Sequence, residues 1–441
     1  MSADHGAVLF IHKGDLMKKN ACQDPADAIA PASTERRSLL IGAASLAALG
    51  ATSPLWINVA RAQQPPIRIG FPVPLTGAFA LEAQDQVKAA ELAIKEFNDT
   101  GGFNGRMAEL LVRDDKLNPG EAANRTIELI EKDKVDYVVG SLSAAVQLSV
   151  NNVTRERKIL YNSISQSDAI NEAKDWSPYT FHEALNPHMT AGAVGRYVFP
   201  KSGKRVAFLT ADYAYGQEMV RGFTVAGKPF GIEVVADVRH PLGAADYSAF
   251  LPRIQALKPD VLCVCNFGAD LVNSMKQATD FGIKADTKIV VPVLLYTARQ
   301  TGGADAFEGV VGGSSYYWRL EDTVPSARAF NDAFRKANGG AVPSDYGALG
   351  YAGVRSVLTA VRNAKSTDTM AVIAAMEKLK YDFYKGAEYY RGCDHQAVQS
   401  VLIVESKSKD MKDKNDVFNI LSIEQPSENN LRSCGELGFK A

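Results

Sequence analysis

The chain lacks the short motifs that mark many enzymes. It contains no phosphate-cradling G-x-x-x-x-G-K-[ST] loop, no G-x-G-x-x-G after its first strand-like run, no H-E-x-x-H and no G-x-S-x-G. Histidine is scarce, six in 441 residues, and too dispersed for a metal cluster. An excess of either charge is missing too: 49 basic side chains face 50 acidic ones, a net charge of −1, with the lysines and arginines scattered. That removes any general electrostatic basis for binding nucleic acid or anionic lipid. No cofactor is expected. What is present is the composition of a soluble globular protein, 46% hydrophobic and 22% charged, at a length that suggests two or three domains.

Two spots could be imagined as catalytic, and neither holds. His395, in "RGCDHQA", sits beside Asp394, but a turn histidine between two strands is more often a structural hydrogen-bonder. Asp114 and Asp115, in "VRDDK", are neighbours at a strand end and so point to opposite faces, a poor general acid/base pair. Binding is favoured over catalysis, and the chain is not read as an enzyme.

The N-terminal region reads as an export signal. Residues 38–60, "SLLIGAASLAALGATSPLWINVA", are apolar, follow the twin arginine Arg36-Arg37, and run into "ARA" at Ala60 to Ala62. Cleavage is expected after Ala62, through a twin-arginine-like or an ordinary secretory route, with Met17 as an alternative start. The alternative is a retained anchor, since the run is long enough to cross a bilayer. Small residues and the "ARAQQPP" ending favour cleavage.

Export changes how the five cysteines read, because an oxidising compartment permits disulfides. Cys22 is lost with the leader. Cys263 and Cys265, two apart in a strand, share a face and read as buried core thiols rather than a metal site. Cys393 and Cys434 read as a disulfide tying down the tail, against the alternative of two free thiols.

From Ile67 onward, apolar runs and helical periodicity alternate. "IRIGFPVPLTG", "MAELLVRDDK", "VDYVVGS" and "ILYNS" read as strands, with helices between them and another from about Ala144. After the turn-rich "SPYTFHEALNP", a second series begins: "RVAFLTAD", a helix from about Tyr215, "IEVVADVRH", a helix with Phe250, Ile254 and Leu257, "PDVLCVCN", "ADLVNSMKQATDFG" and "KIVVPVLL". Such alternation predicts parallel sheets covered by helices on both faces. Three helical runs follow, near 325–338, 346–363 and 369–379, and then two strands, "AVQSVLIVE" and "VFNILSIEQ", joined by a lysine-rich hairpin loop.

"AAELAIKEFNDTGGFNGR", "VDYVVGSLSA", "DYAYGQ", "DYSAFLPRIQALKPDVL" and "ATDFGIK" stand in the order and spacing of the branched-chain amino-acid type of periplasmic solute-binding protein, which the chain resembles from Ile67 to its tail. The resemblance implies an α/β fold of two doubly wound, Rossmann-like lobes joined by three crossings. The first lobe would hold residues 63–185 and about 315–390, and the second 186–314 and about 391–441. It also implies a monomer in the periplasm that holds a small organic solute between its lobes and delivers it to the membrane permease of an ABC transporter.

The same resemblance nominates site residues. Leu142, Ser143, Ala144, Ser165 and Ser167 come from the first lobe, their hydroxyls and backbone N–H groups holding a carboxylate; Tyr215, Phe267 and Val293 come from the second. Physics supports those turns, because ligands of open α/β sheets sit at the carboxyl ends of strands, where helix N-termini offer free N–H groups. Ser141 to Ala144 and Ser163 to Ser167 both follow a strand and are read as opening a helix. Each serine alone could equally be a helix cap. Tyr296 is a further candidate contact, whereas Tyr213 reads as packing or surface beside the hinge.

Two departures from the family pattern bear on the solute. Members that bind an α-amino acid have a hydroxyl residue where this chain has Ala144, and an ammonium-pairing carboxylate where it has Val293. A buried ammonium without an anion costs several kcal/mol, on the order of the penalty for any unpaired buried ion. The solute expected is a carboxylate with an apolar or aromatic body. A branched-chain amino acid or amide, or a sensor role on the same fold, is the alternative.

Overall fold

The structure, a computed structural model, describes residues 64–440. The export signal, its cleavage site and Cys22 lie outside the described residues.

Strands covered on both faces are near-continuous apolar runs, as Ile67–Val73 is, whereas an edge strand such as Ala108–Asp114 is buried only in part. The first such set contains β1 (Ile67–Val73), α1 (Ala80–Asp99), β2 (Ala108–Asp114), α2 (Pro119–Ile127), β3 (Tyr137–Gly140), α3 (Ala144–Arg157), β4 (Tyr161–Ser163) and β5 (Thr180–His182). Its five strands form a parallel sheet in the order β2-β1-β3-β4-β5. β5 lies inside the passage that reads as turns, too short at three residues to show a period.

The second set contains α4 (Pro187–Val198), β6 (Arg205–Ala211), α5 (Ala214–Gly227), β7 (Glu233–His240), α6 (Leu251–Ala256), β8 (Val261–Cys265), α7 (Gly268–Asp280), β9 (Lys288–Val293), α8 (Tyr296–Gly302), α9 (Ala304–Phe307) and β10 (Val311–Ser314). α4 starts where it does because Asn186 caps it, accepting the Met189 N–H at 2.9 Å, and Pro187 is preset for the first helical position. Every residue of β8 is buried, including the free thiols Cys263 and Cys265.

The chain then returns through α10 (Pro325–Ala337), α11 (Asp345–Ala364) and α12 (Thr369–Met376), and α11 packs along α1 and over β3 and β4. β11 (Lys380–Tyr381), β12 (Glu388–Tyr390) and β13 (Ala397–Val398) make a small antiparallel sheet. β14 (Val401–Ser406) and β15 (Phe418–Glu424) complete the second sheet, ordered β15-β14-β10-β9-β8-β6-β7. β14 runs antiparallel to β10 and β15 to β14, so this sheet is mixed rather than wholly parallel. "AVQSVLIVE" is not one strand: it breaks at Gln399 and Ser400, because β13 and β14 belong to different sheets.

The two lobes are thus joined by residues 183–186, 315–317 and 399–400. Buried side chains tie these crossings together. Lys385 Nζ donates to the Ser315 carbonyl at 3.0 Å and to Gln399 Oε1. Gln399 Nε2 donates to the Glu183 carbonyl at 2.5 Å, and Gln396 Nε2 to those of His182 and Ala184 at 3.2 and 2.8 Å. The Cys393 and Cys434 sulfurs are bonded, anchoring the tail beside the third crossing.

Candidate functional site

Segments that follow β1 and β4 meet segments that follow β6, β8 and β9 across the lobe junction. β3 ends at Gly140, whose φ of +140° suits glycine, and where a Cβ would stand 2.6 Å from the Pro72 carbonyl. Leu142, Ser143 and Ala144 follow, all buried. Ser143 is the N-cap residue of α3, but its hydroxyl makes no cap bond, so it does not play the capping role open to it.

Ser165 and Ser167 are held differently. Ser165 Oγ donates to the Leu142 carbonyl at 2.7 Å, joining the turns after β3 and β4. Its own carbonyl accepts from His182 Nε2 at 2.6 Å; burial pushes that imidazole down to about 4, so it is neutral. The turn at Ser163 to Ser167 does not open a helix: only a three-residue 3-10 turn, Ala169–Asn171, follows. Ser167 Oγ accepts the Ala169 N–H at 3.1 Å and lies 3.3 Å from Glu218 Oε1.

On the other lobe, Tyr215 is the second residue of α5, Phe267 the residue before α7, and Val293 the last of β9. Aromatic rings from both lobes converge here. Phe267 meets Phe79 edge-on at 4.8 Å, Tyr346 at 5.0 Å and Tyr215 at 5.8 Å, the spacings of favourable edge-to-face pairs. Tyr213 stacks on Tyr215 at 5.8 Å and reaches Phe79 of the first lobe at 6.4 Å. Tyr296 turns away, its hydroxyl engaged by Asn415 and Gln300 at 3.2 and 2.9 Å.

The lobes touch closely. The Ala269 N–H donates to the Ala78 carbonyl at 3.0 Å, an approach that Gly268 permits, since a Cβ there would lie 2.5 Å from the same oxygen. Thr297 Oγ1 donates to Glu82 Oε1 at 2.6 Å, and the Tyr296 N–H to Asp345 Oδ1 at 3.4 Å. At the opposite edge, the Asp168 N–H donates to Glu218 Oε2 at 2.9 Å, and Arg221 pairs with Asp168 at 3.2 Å.

These carboxyls meet mainly neutral donors while losing water, so burial pushes Glu218 and Asp345 each up to about 7, with Asp168 adding to the effect at Glu218, and it raises Glu82 as well. Burial also raises Tyr215 and Tyr346, so both remain phenols. Tyr215 Oη, Asp345 Oδ2 and the side-chain amides of Gln86 and Gln147 are buried without a hydrogen-bond partner among the described residues. Buried polar groups are normally paired, so each of these atoms lacks the partner a folded chain usually supplies.

Phe79, Glu82, Glu218, Asp345 and Tyr346 were not legible as site residues. Asp345 and Tyr346 open a helix more than a hundred residues after Tyr215, and only the return of the chain to the first lobe brings them here. The discounted candidates have structural partners. His395 Nδ1 bonds the Thr180 carbonyl at 2.9 Å and its ring stacks on Phe181. Asp114 accepts from Leu75 N and Thr76 Oγ1 at 3.0 and 2.9 Å, while Asp115 turns inward to Leu117 N at 2.8 Å.

A family model described as "Periplasmic binding protein" matches residues 66–412. Leu/Ile/Val-binding protein homolog 7 of Brucella abortus (strain 2308) is 24% identical over 339 residues, 74% of this chain and 84% of that protein. Among solved structures, a periplasmic binding protein from Burkholderia mallei shares 29% identity over 84% of this chain and 97% of its own, with a TM-score of 0.78. A solute-binding protein of an ABC transporter from Rhodopseudomonas palustris BisB5, in complex with 3,4-dihydroxybenzoic acid, shares 25% identity over 82% and 98%, with a TM-score of 0.74.

Proposed function

Because the chain belongs to the periplasmic binding proteins, and within them to the type I fold of the branched-chain amino-acid kind, we propose that it captures a small organic carboxylate with an apolar or aromatic body for an ABC importer. The family and fold are those of non-enzymatic solute carriers of the periplasm. An export signal removed after Ala62 agrees with that location. The relatives include an ABC transporter component with an aromatic acid bound and a protein named for branched-chain amino acids, so the family alone leaves the solute class open.

The observation that carries the solute class is the aromatic wall. Phe79, Tyr215, Phe267 and Tyr346 come together from both lobes, and β9 of the second lobe ends on an apolar residue, Val293. A planar ring packs edge-to-face on such a wall, whereas its carboxylate finds backbone N–H groups at the start of α3. In this reading Leu142, Ser143, Ala144 and Ser165 receive the carboxylate on the first lobe. Ser167 acts indirectly, through its contact with Glu218.

The binding step is hinge closure. The first lobe, residues 63–185 and about 315–398, takes the solute; the second, 186–314 and from about 401, then supplies Tyr215, Phe267 and Val293. Contacts made only in the closed form shift the population toward it, and the permease reads that form. The unpartnered Asp345 favours a second reading, an amino acid whose ammonium it pairs. Native mass spectrometry of the purified protein tests the choice: a co-purifying aromatic or apolar carboxylic acid supports the first reading, and leucine, isoleucine or valine overturns it.

A further inference from the structure

Tyr215 Oη and Asp345 Oδ2 are the two unpartnered polar atoms closest in sequence to the aromatic wall, and both residues are nearly inaccessible, at 3% and 1% exposure. Asp345 opens α11 on the first lobe, yet its Oδ1 accepts the Tyr296 N–H of the second lobe at 3.4 Å. Tyr296 lies three residues beyond Val293. A carboxyl absent from the end of β9 is therefore delivered beside that strand end by the opposite lobe. The residue next to it, Tyr346, meets Phe267 edge-on at 5.0 Å, and Phe267 meets Tyr215 at 5.8 Å, so acid and phenol flank one run of rings. Of the other carboxyls nearby, Glu82 is engaged by Thr297 and Glu218 by the Asp168 N–H, while Asp270 accepts the Gly243 N–H through Oδ2 and keeps Oδ1 unpartnered among the described residues.

We propose that Asp345 and Tyr215 recognise a hydroxyl on the body of the solute, which makes that solute a hydroxylated aromatic carboxylate. This rests on the aromatic-carboxylate reading above. Donor counting separates a hydroxyl from an ammonium. A phenolic hydroxyl brings one donor and an accepting oxygen: Asp345 Oδ2 takes its proton, and the Tyr215 O–H donates to its oxygen, so all groups are paired. An ammonium brings three donors and no acceptor; it leaves one N–H unmatched here and the Tyr215 proton unplaced.

Calorimetry on ligand-stripped protein, with benzoate and 4-hydroxybenzoate as probes differing only in the hydroxyl, tests this. Wild type binds 4-hydroxybenzoate roughly 10-fold or more tightly than benzoate, the scale of a hydrogen bond to a charged group. Asp345→Asn, which keeps the acceptor for Tyr296, and Tyr215→Phe each bring the ratio of the two affinities to within about twofold. A ratio that survives in both variants, or equal binding of the two acids by wild type, overturns this inference alone. Failure of wild type to bind either acid overturns the solute class and this inference together. Leucine bound more tightly than both, and lost in Asp345→Asn, assigns Asp345 to an ammonium and overturns the hydroxyl.

Discussion

Glu218, carried by α5 of the second lobe, accepts the backbone N–H of Asp168 from the first lobe at 2.9 Å, and its other oxygen lies 3.3 Å from the Ser167 hydroxyl. One carboxyl thereby fastens the edge of the junction, and closure buries it beside the negative charge of Asp168, with Arg221 as partial compensation.

That burial makes closure pH-dependent. Glu218 is pushed from an ordinary 4.5 up to about 7, so the closed form holds its proton more tightly than an open form that exposes it. The penalty is absent below about 4.5, grows as pH rises toward 7 and is complete above it. Asp345, also near 7, acts in the same direction. Solute affinity is expected to fall on the order of 10-fold between pH 5 and pH 8, and Glu218→Gln should flatten part of that fall. Titrations at several pH values check this, and affinity that rises with pH would refute it.

In the proposed site, Tyr215 should matter to binding more than to folding. Truncation to Ala removes a ring that Phe267 meets at 5.8 Å and that belongs to the closed junction. Affinity should drop roughly 10- to 100-fold, the scale of losing a buried aromatic contact, while the urea midpoint moves little. Unchanged affinity would place the solute elsewhere.

How much of this was legible depends on sequence distance. Tyr215 sits on a strand-to-helix turn that "TADYAYGQ" displays directly, and the buried run "VLCVC" declares a central strand. The α/β alternation and the three late helices follow from local pattern alone. Phe79, Glu218 and Tyr346 carry no such local mark, because their contacts are with residues of the opposite lobe, distant in sequence. The same holds for Asp345: a search for an acid near Val293 along the chain finds none, whereas the acid present comes from α11. "NSISQSD" has the serines of a helix start but only a short 3-10 turn behind it, since the chain must run on to β5 at the lobe edge. The break in "AVQSVLIVE" was hidden because both halves are apolar, and only the change of sheet separates them.

A buried lysine ties two of the hinge crossings together. Lys385 lies 3.9 Å from Glu388, whose two oxygens have no hydrogen-bond partner among the described residues, and it bonds the second and third crossings. Lys385→Met leaves the Ser315 carbonyl and the Gln399 amide oxygen without their buried donor and should cost about 1 to 3 kcal/mol of stability for each. Adding Glu388→Gln should restore part of the loss, a coupling that a double-mutant cycle reads in denaturant unfolding. Additive effects would show that the two side chains do not act together.

The Cys393–Cys434 bond closes 41 residues of sequence separation. Reduction, or Cys434→Ser, should lower stability by about 2 to 4 kcal/mol, the usual effect of opening a loop of this size. Solute affinity should change less than about twofold, because the bond anchors the tail and touches none of the cleft residues. A large affinity loss with unchanged melting would instead place the tail in the binding cycle.

The central claim is that an aromatic wall receives a carboxylate between the lobes. Isothermal titration calorimetry of ligand-stripped protein at neutral pH, with an aromatic carboxylate and leucine run in parallel, measures it directly. The account predicts saturable, one-to-one binding of the aromatic acid and binding of leucine at least roughly 10-fold weaker, the scale of one unmatched buried donor. Leucine bound more tightly than the aromatic acid would contradict it.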